Sequence, residues 1–111
     1  MTVSELARRT GITIAEGSGE KEAVGCYCGD LLSHVMARCP RGSVWLTVHT
    51  DVNAVAVALH RGCAGLVICE GMPSPEQREA ARREGVCLLY CGLDEYALAI
   101  RIGGALAEED L

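Results

Sequence analysis

An α/β fold, a mostly parallel sheet flanked by helices, is predicted for this chain by three observations. Four apolar strand-like runs alternate with helix-like runs, the pattern of βαβ units on a parallel sheet. Turn signals separate them: Pro40-Arg41-Gly42 and Gly62 close helices, and Ser74-Pro75 opens one. Half of the 111 residues are apolar, which supplies one core in a chain too short for two, so residues 1–111 are expected to form a single domain.

Each element has its own justification. Thr2-x-x-Glu5 reads as a capping box starting a short helix that Gly11 ends, and Ile12–Ala15 follows as a brief strand. Glu16-Gly17-Ser18-Gly19-Glu20-Lys21-Glu22 is charged and turn-rich, the best candidate for a mobile loop. The parallel strands are predicted at Ala23–Cys28, Val44–Val48, Gly65–Cys69 and Val86–Tyr90. After the first, Asp30 is a candidate N-cap for a helix carrying Leu31, Leu32, Val35 and Met36 on one face. A second helix spans Val52–His60. A third, capped by Ser74, presents Glu76, Arg78, Glu79, Arg82 and Arg83 as a solvated face. The last runs from Leu93 or Asp94 to Leu106, with Leu93, Ala97, Ile100 and Gly104 in one stripe and an acidic tail expected to fray.

Charge and composition narrow the function classes. A net charge of −5, with Lys21 the single lysine among ten basic residues, leaves no basic stripe for nucleic acid and disfavours anionic membranes. The opening Val3–Thr13 looks like the first half of a helix-turn-helix, but a Gly- and Glu-rich loop follows where a recognition helix should be. With no long apolar stretch and no leader-like start, the expectation is a soluble, cytoplasmic protein. Its seven cysteines are then expected to be reduced, most of them as small core residues.

Candidate chemistry gathers at strand ends. Tyr27, Asp30, Ser33, Thr47, His49, Asp51 and Asn53 should converge at the carboxyl ends of the first two parallel strands, where open α/β sheets bind ligands beside helix N-termini. Glu70 and Asp94 occupy equivalent places after the other two strands, although an Asp in such a position also serves simply as a cap. Cys26 and Cys28 fall on one face of a strand with Tyr27 on the other, and their spacing can chelate. A structural zinc would need four ligands, however, and no second C-x-C or C-x2-C exists. No G-x-S-x-G elbow and no phosphate-binding G-x-x-x-x-G-K-[ST] loop is present, so neither nucleophilic catalysis nor phosphoryl transfer is predicted, and no cofactor is implied.

The run Gly25-Cys26-Tyr27-Cys28-Gly29-Asp30-Leu31-Leu32-Ser33, continued by Val35-Met36, resembles the core motif of the DRTGG domain family. Val44-Trp45-Leu46-Thr47-Val48 and Val52-Asn53-Ala54-Val55-Ala56-Val57-Ala58 resemble that family's next strand and helix. In the name-giving motif, Glu20 and Lys21 stand near the acidic and basic positions, Val24 replaces the threonine, Gly25 keeps one glycine and Cys26 replaces the other. The resemblance implies a fold similar to the N-terminal domain of HPr kinase/phosphorylase, in proteins whose chemistry belongs to another domain. It adds Gly25 to the expected ligand-binding residues. Stand-alone relatives are encoded near iron-only hydrogenase components, which implies an enzyme partner of that kind.

The resulting expectation is a non-catalytic regulatory or assembly domain with a small ligand at the strand ends. The alternative is a metal- or iron–sulfur-handling accessory protein using Cys26 and Cys28. Homodimerisation is expected from the almost unbroken apolar run of Val52–Leu59, which one sheet cannot cover on every side.

Overall fold

Alternation along the strands decides the layers. The computed structural model describes residues 1–109. In chain order the elements are α1 (Val3–Thr10), β1 (Thr13–Glu16), β2 (Gly25–Cys28), α2 (Leu32–Arg38), β3 (Ser43–Thr47), α3 (Val52–Arg61), β4 (Gly65–Ile68), α4 (Pro75–Glu84), β5 (Leu88–Tyr90) and α5 (Glu95–Glu109). One five-stranded sheet has the order β1-β5-β4-β3-β2. From β2 to β5 all neighbours are parallel, while β1 closes the edge antiparallel to β5, with an irregularity between Ile14 and Glu16.

Strands β3 and β4 are central, buried at every position, which explains their continuous apolar sequence. Val44, Leu46, Val67 and Leu89 point to one face, where α1 and α5 cover them with Leu6, Leu98 and Ile102. Trp45, Leu66, Ile68 and Leu88 point to the other, under α2, α3 and α4. The domain is thus a three-layer α/β sandwich, and among the described residues no helix is long and apolar enough to cross a membrane.

The caps follow the sequence with one exception. Thr2 accepts the Glu5 N–H at 3.2 Å, Asp51 accepts from Ala54 at 3.2 Å and Ser74 from Gln77 at 3.1 Å. Asp30, expected to cap α2, does not: Leu31 is the N-cap, without a side-chain bond, and α2 begins at Leu32. The Asp30 carboxylate is drawn instead to groups on β3, described below. Consequently α2 is short and shallow, with Val35 buried while Leu31 is 59% exposed and Met36 36%.

Other differences have similar local reasons. In α5 the buried stripe is Leu98, Ile102 and Ala105, and Ile100 is 57% exposed. A rotation of the helix from the predicted stripe follows from its packing against α1. The acidic tail does not fray up to Glu109, because Glu108 pairs with Arg9 and Glu109 with the Met1 amino group; Asp110 and Leu111 lie outside the described residues. The 16–22 loop is tied down rather than loose: Ser4 N–H donates to Gly19 O and Val3 N–H to Lys21 O, both at 2.9 Å, and Glu16 pairs with Arg78 and Arg82. Gly19, at φ 72°, has room for no side chain, since a Cβ there would stand 2.8 Å from the Ser4 backbone nitrogen.

Candidate functional site at the carboxyl edge of the sheet

Strands β2 and β3 end side by side, and the segments leaving them carry the polar groups. Asp30 turns back across the gap: its Oδ1 accepts from Thr47 Oγ1 at 2.7 Å and from the Val48 N–H at 3.0 Å. The His49 ring Nε2 bonds to the Asp30 carbonyl oxygen, and its Nδ1 lies 3.9 Å from Asp51 Oδ2. The carboxylate therefore staples two strand ends together, a use that competes with helix capping and defeats it here.

The loop bearing His49 is held from below by α4. Gln77 is fully buried, and its Nε2 donates to the His49 carbonyl at 3.0 Å and to the Asp51 carbonyl at 3.1 Å. Ser74, besides capping α4, donates its hydroxyl to Thr50 O at 2.6 Å. Gln77 Oε1 is buried without a hydrogen-bond partner.

A third strand end, that of β5, contributes a residue the sequence reading passed over. Asp94 caps α5 through Ala97 N at 2.8 Å, and the next residue, Glu95, hydrogen-bonds Asp30. Burial, that bond and the Asp30 charge push the Glu95 carboxyl up to about 7, with Glu70 adding to the effect. Asp30 moves the other way: burial pushes it up, but hydrogen bonds from Thr47, Glu95 and the Val48 N–H outweigh this and hold it below the usual carboxylate value. The pair behaves as one proton shared between two carboxyls and held on Glu95. Glu70 itself sits at φ 62°, a left-handed conformation unusual for a residue with a side chain, just where β4 ends.

Of the predicted residues, Asp30, Thr47, His49 and Asp51 come together. Tyr27 does not point toward them in the same layer; it packs under α2 with Trp45 and Val35. Ser33 is exposed on the first turn of α2, and Asn53 faces the groove between α3 and α4. Gly25 opens β2 at the opposite edge of the sheet, paired with Ser43, about 10 Å from the strand's end.

Cys26 and Cys28 fall on the face of the sheet under α5, as the period of two requires, Cys26 packed against that core and Cys28 exposed. Burial first, and then Cys28, pushes the Cys26 thiol up to about 12; burial and Glu95 raise Cys28. Among the described residues no three of His, Cys, Asp and Glu are gathered so as to hold a metal ion.

The two larger hollows among the described residues lie away from this edge. One of about 420 Å³ is bounded by Gly17–Lys21, Ala64, Arg82 and Cys87 at the amino ends of β4 and β5. The other, about 430 Å³, is an open groove between α3 and α4 lined by Val52, Val55, Ala56, Leu59, Ala80 and Arg83. The carboxyl-edge cluster is by contrast a shallow, half-exposed polar surface.

No family model matches the chain, and no curated protein matches it. Among solved structures it is similar to the CBS and DRTGG domains of the regulatory region of Clostridium perfringens pyrophosphatase, complexed with the activator diadenosine tetraphosphate. The TM-score is 0.73 at 10% identity, covering 91% of this chain and 45% of that one. The shared property is the fold: a five-stranded, mostly parallel α/β sandwich related to that of a DRTGG-containing regulatory region.

Proposed function

We propose that this protein is a non-catalytic regulatory or assembly domain of the DRTGG type, working as a homodimer and taking a small ligand at the carboxyl edge of its sheet. The observation that carries the ligand reading is the Asp30, Thr47, His49, Asp51 and Glu95 cluster, where polar groups from three strand ends meet beside the start of α3. The regulatory character draws support from the similar solved structure, a regulatory region bound to a nucleotide activator. That chain is more than twice as long, so its activator is a lead for choosing probes rather than a ligand to transfer.

The cluster sets a condition on the ligand. Asp30, Asp51 and Glu70 repel a bare phosphate, so an anionic ligand would enter with a bridging divalent cation. Titration of labelled protein with MgCl2, ATP, diadenosine tetraphosphate and the two nucleotides with MgCl2 tests this. The expected result is that amide shifts centre on residues 30, 47–51 and 95 and require metal and nucleotide together. Shifts confined to the amino edge of the sheet, or none at millimolar nucleotide, would remove the reading. Metal analysis of anaerobically purified protein, expected to find no bound metal, separates it from the Cys26–Cys28 alternative.

The homodimer is proposed through the α3–α4 groove. Val52 and Leu59 are 45% and 48% exposed, Ala56 lies between them, and Arg83 and Glu84 form the rim. A two-fold axis through the groove would lay this apolar strip on its own copy, an isologous contact rimmed by the Arg83–Glu84 ion pair of each chain. A hydrogenase component remains the proposed enzyme partner, resting on the family resemblance alone.

A further inference from the structure

Cys39 and Cys63 lie on either side of the β3–α3 unit and yet meet, Sγ to Sγ at 3.7 Å, across 24 positions of sequence. Cys39 is the C-cap of α2, and Cys63 sits in the turn from α3 to β4. Both are buried, at 0% and 7% exposure, in the core layer of Trp45 and Leu66.

Their approach is imposed by backbone, which is why it matters. Gly42 N–H donates to Gly62 O at 2.9 Å, and Ala64 N–H to Ser43 O at 2.9 Å. Arg61 Nε donates to the Cys39 carbonyl at 3.0 Å, closing a third tie between the two turns. These ties hold the two turns against each other and keep the two sulfurs in contact at 3.7 Å. A covalent bond at about 2.05 Å needs only side-chain rotation and a small adjustment, not a rearrangement of the fold.

We infer that Cys39 and Cys63 form a reversible intramolecular disulfide under mild oxidation, a covalent staple between the C-terminus of α2 and the start of β4. The oxidant is a small hydroperoxide. One thiolate attacks a peroxide oxygen, the O–O bond breaks, and the sulfur becomes a sulfenic acid as water leaves. The second thiolate then displaces hydroxide from that sulfur. Two thiols and one hydrogen peroxide become one disulfide and two waters, and a dithiol reverses the change.

The surroundings set its pace. Burial raises both thiols, Cys63 to about 12, while the Arg61 charge lowers both and Ser43 lowers Cys39 further. Oxidation is therefore slow compared with a free thiol, and favourable once a sulfenic acid forms, because the second sulfur is already in contact.

The test uses the whole protein, fully reduced, then treated with a few equivalents of hydrogen peroxide and quenched by alkylation in denaturant. Peptide mapping should show Cys39 linked to Cys63, with the intact mass lower by two hydrogens and the thermal midpoint raised by several degrees. Dithiothreitol should restore both. Cys63→Ala should abolish the link, and Cys28→Ser should leave it in place. Recovery of Cys39 and Cys63 fully alkylated, or linked to other cysteines, would overturn the inference. So would accumulation of sulfinic acid at either residue. Because mapping is done on the unaltered chain, the outcome does not depend on any variant folding.

Discussion

Asp30 and Glu95 show how a single side chain can be read correctly for place and wrongly for task. The sequence placed Asp30 at a strand end, which is where it lies, but its partner was invisible because Glu95 arrives from the far side of the chain. The only hint was local: Asp94 at the start of a helix makes Glu95 its first residue, at a strand's carboxyl end. The shared proton makes a pH prediction. Glu95 binds its proton more tightly folded, near 7, than unfolded, where its ordinary value is 4.5. The native state thus holds more protons between those values, so this group makes stability fall as pH rises from about 4.5 to 7. Glu95→Gln keeps a donor for Asp30 and removes the charge. Denaturant unfolding should find the variant more stable at pH 8 by about 1 kcal/mol, the full linkage value being reduced by solvent screening, with the gain gone at pH 4.

At the scale of elements, what could be read was periodicity and capping, and what could not was which face a helix would choose. The continuous apolar runs of β3 and β4 announced strands, though not their central place in the sheet, and Ser74-Pro75 announced α4. For α5, several apolar stripes were available, and packing against α1 selected Leu98, Ile102 and Ala105. Helix α4 has a further duty that its exposed charges concealed: one of its inward residues, Gln77, fastens the His49–Asp51 loop. Gln77→Leu would leave the two half-buried carbonyls of His49 and Asp51 without their donor. The expected cost is about 1–3 kcal/mol in denaturant unfolding, together with broadened His49 and Asp51 resonances at unchanged helix content. An unchanged loop spectrum would show that the strand-end staple from Asp30 suffices alone.

The whole molecule resolves the question posed by the apolar α3 run. Ala54, Val55, Val57 and Ala58 are buried within the chain, so α3 is less exposed than its sequence suggests, and α1, a candidate cover, lies on the other side of the sheet. What is left uncovered is the strip of Val52, Ala56 and Leu59. Light scattering at tens of micromolar should give twice 11.8 kDa, and Ala56→Arg should return it to 11.8 kDa, because a charge forced into a dry interface costs several kcal/mol. A mass of 11.8 kDa for the unaltered protein at every concentration would dispose of the dimer.

Finally, the pairing of β1 with β5 and of α1 with α5 joins the two extremes of the sequence. Most of a parallel sheet can form as each βαβ unit is completed, but the layer under α1 cannot close until the last fifteen helical residues have been made. The nascent chain therefore carries Val44, Leu46 and Val67 bare on one side until α5 is made. Loop-closure entropy for contacts spanning nearly the whole length is spent last, so final docking of α5 is the natural slow step of folding. The same wet face is the one most open to misassociation before that step is complete.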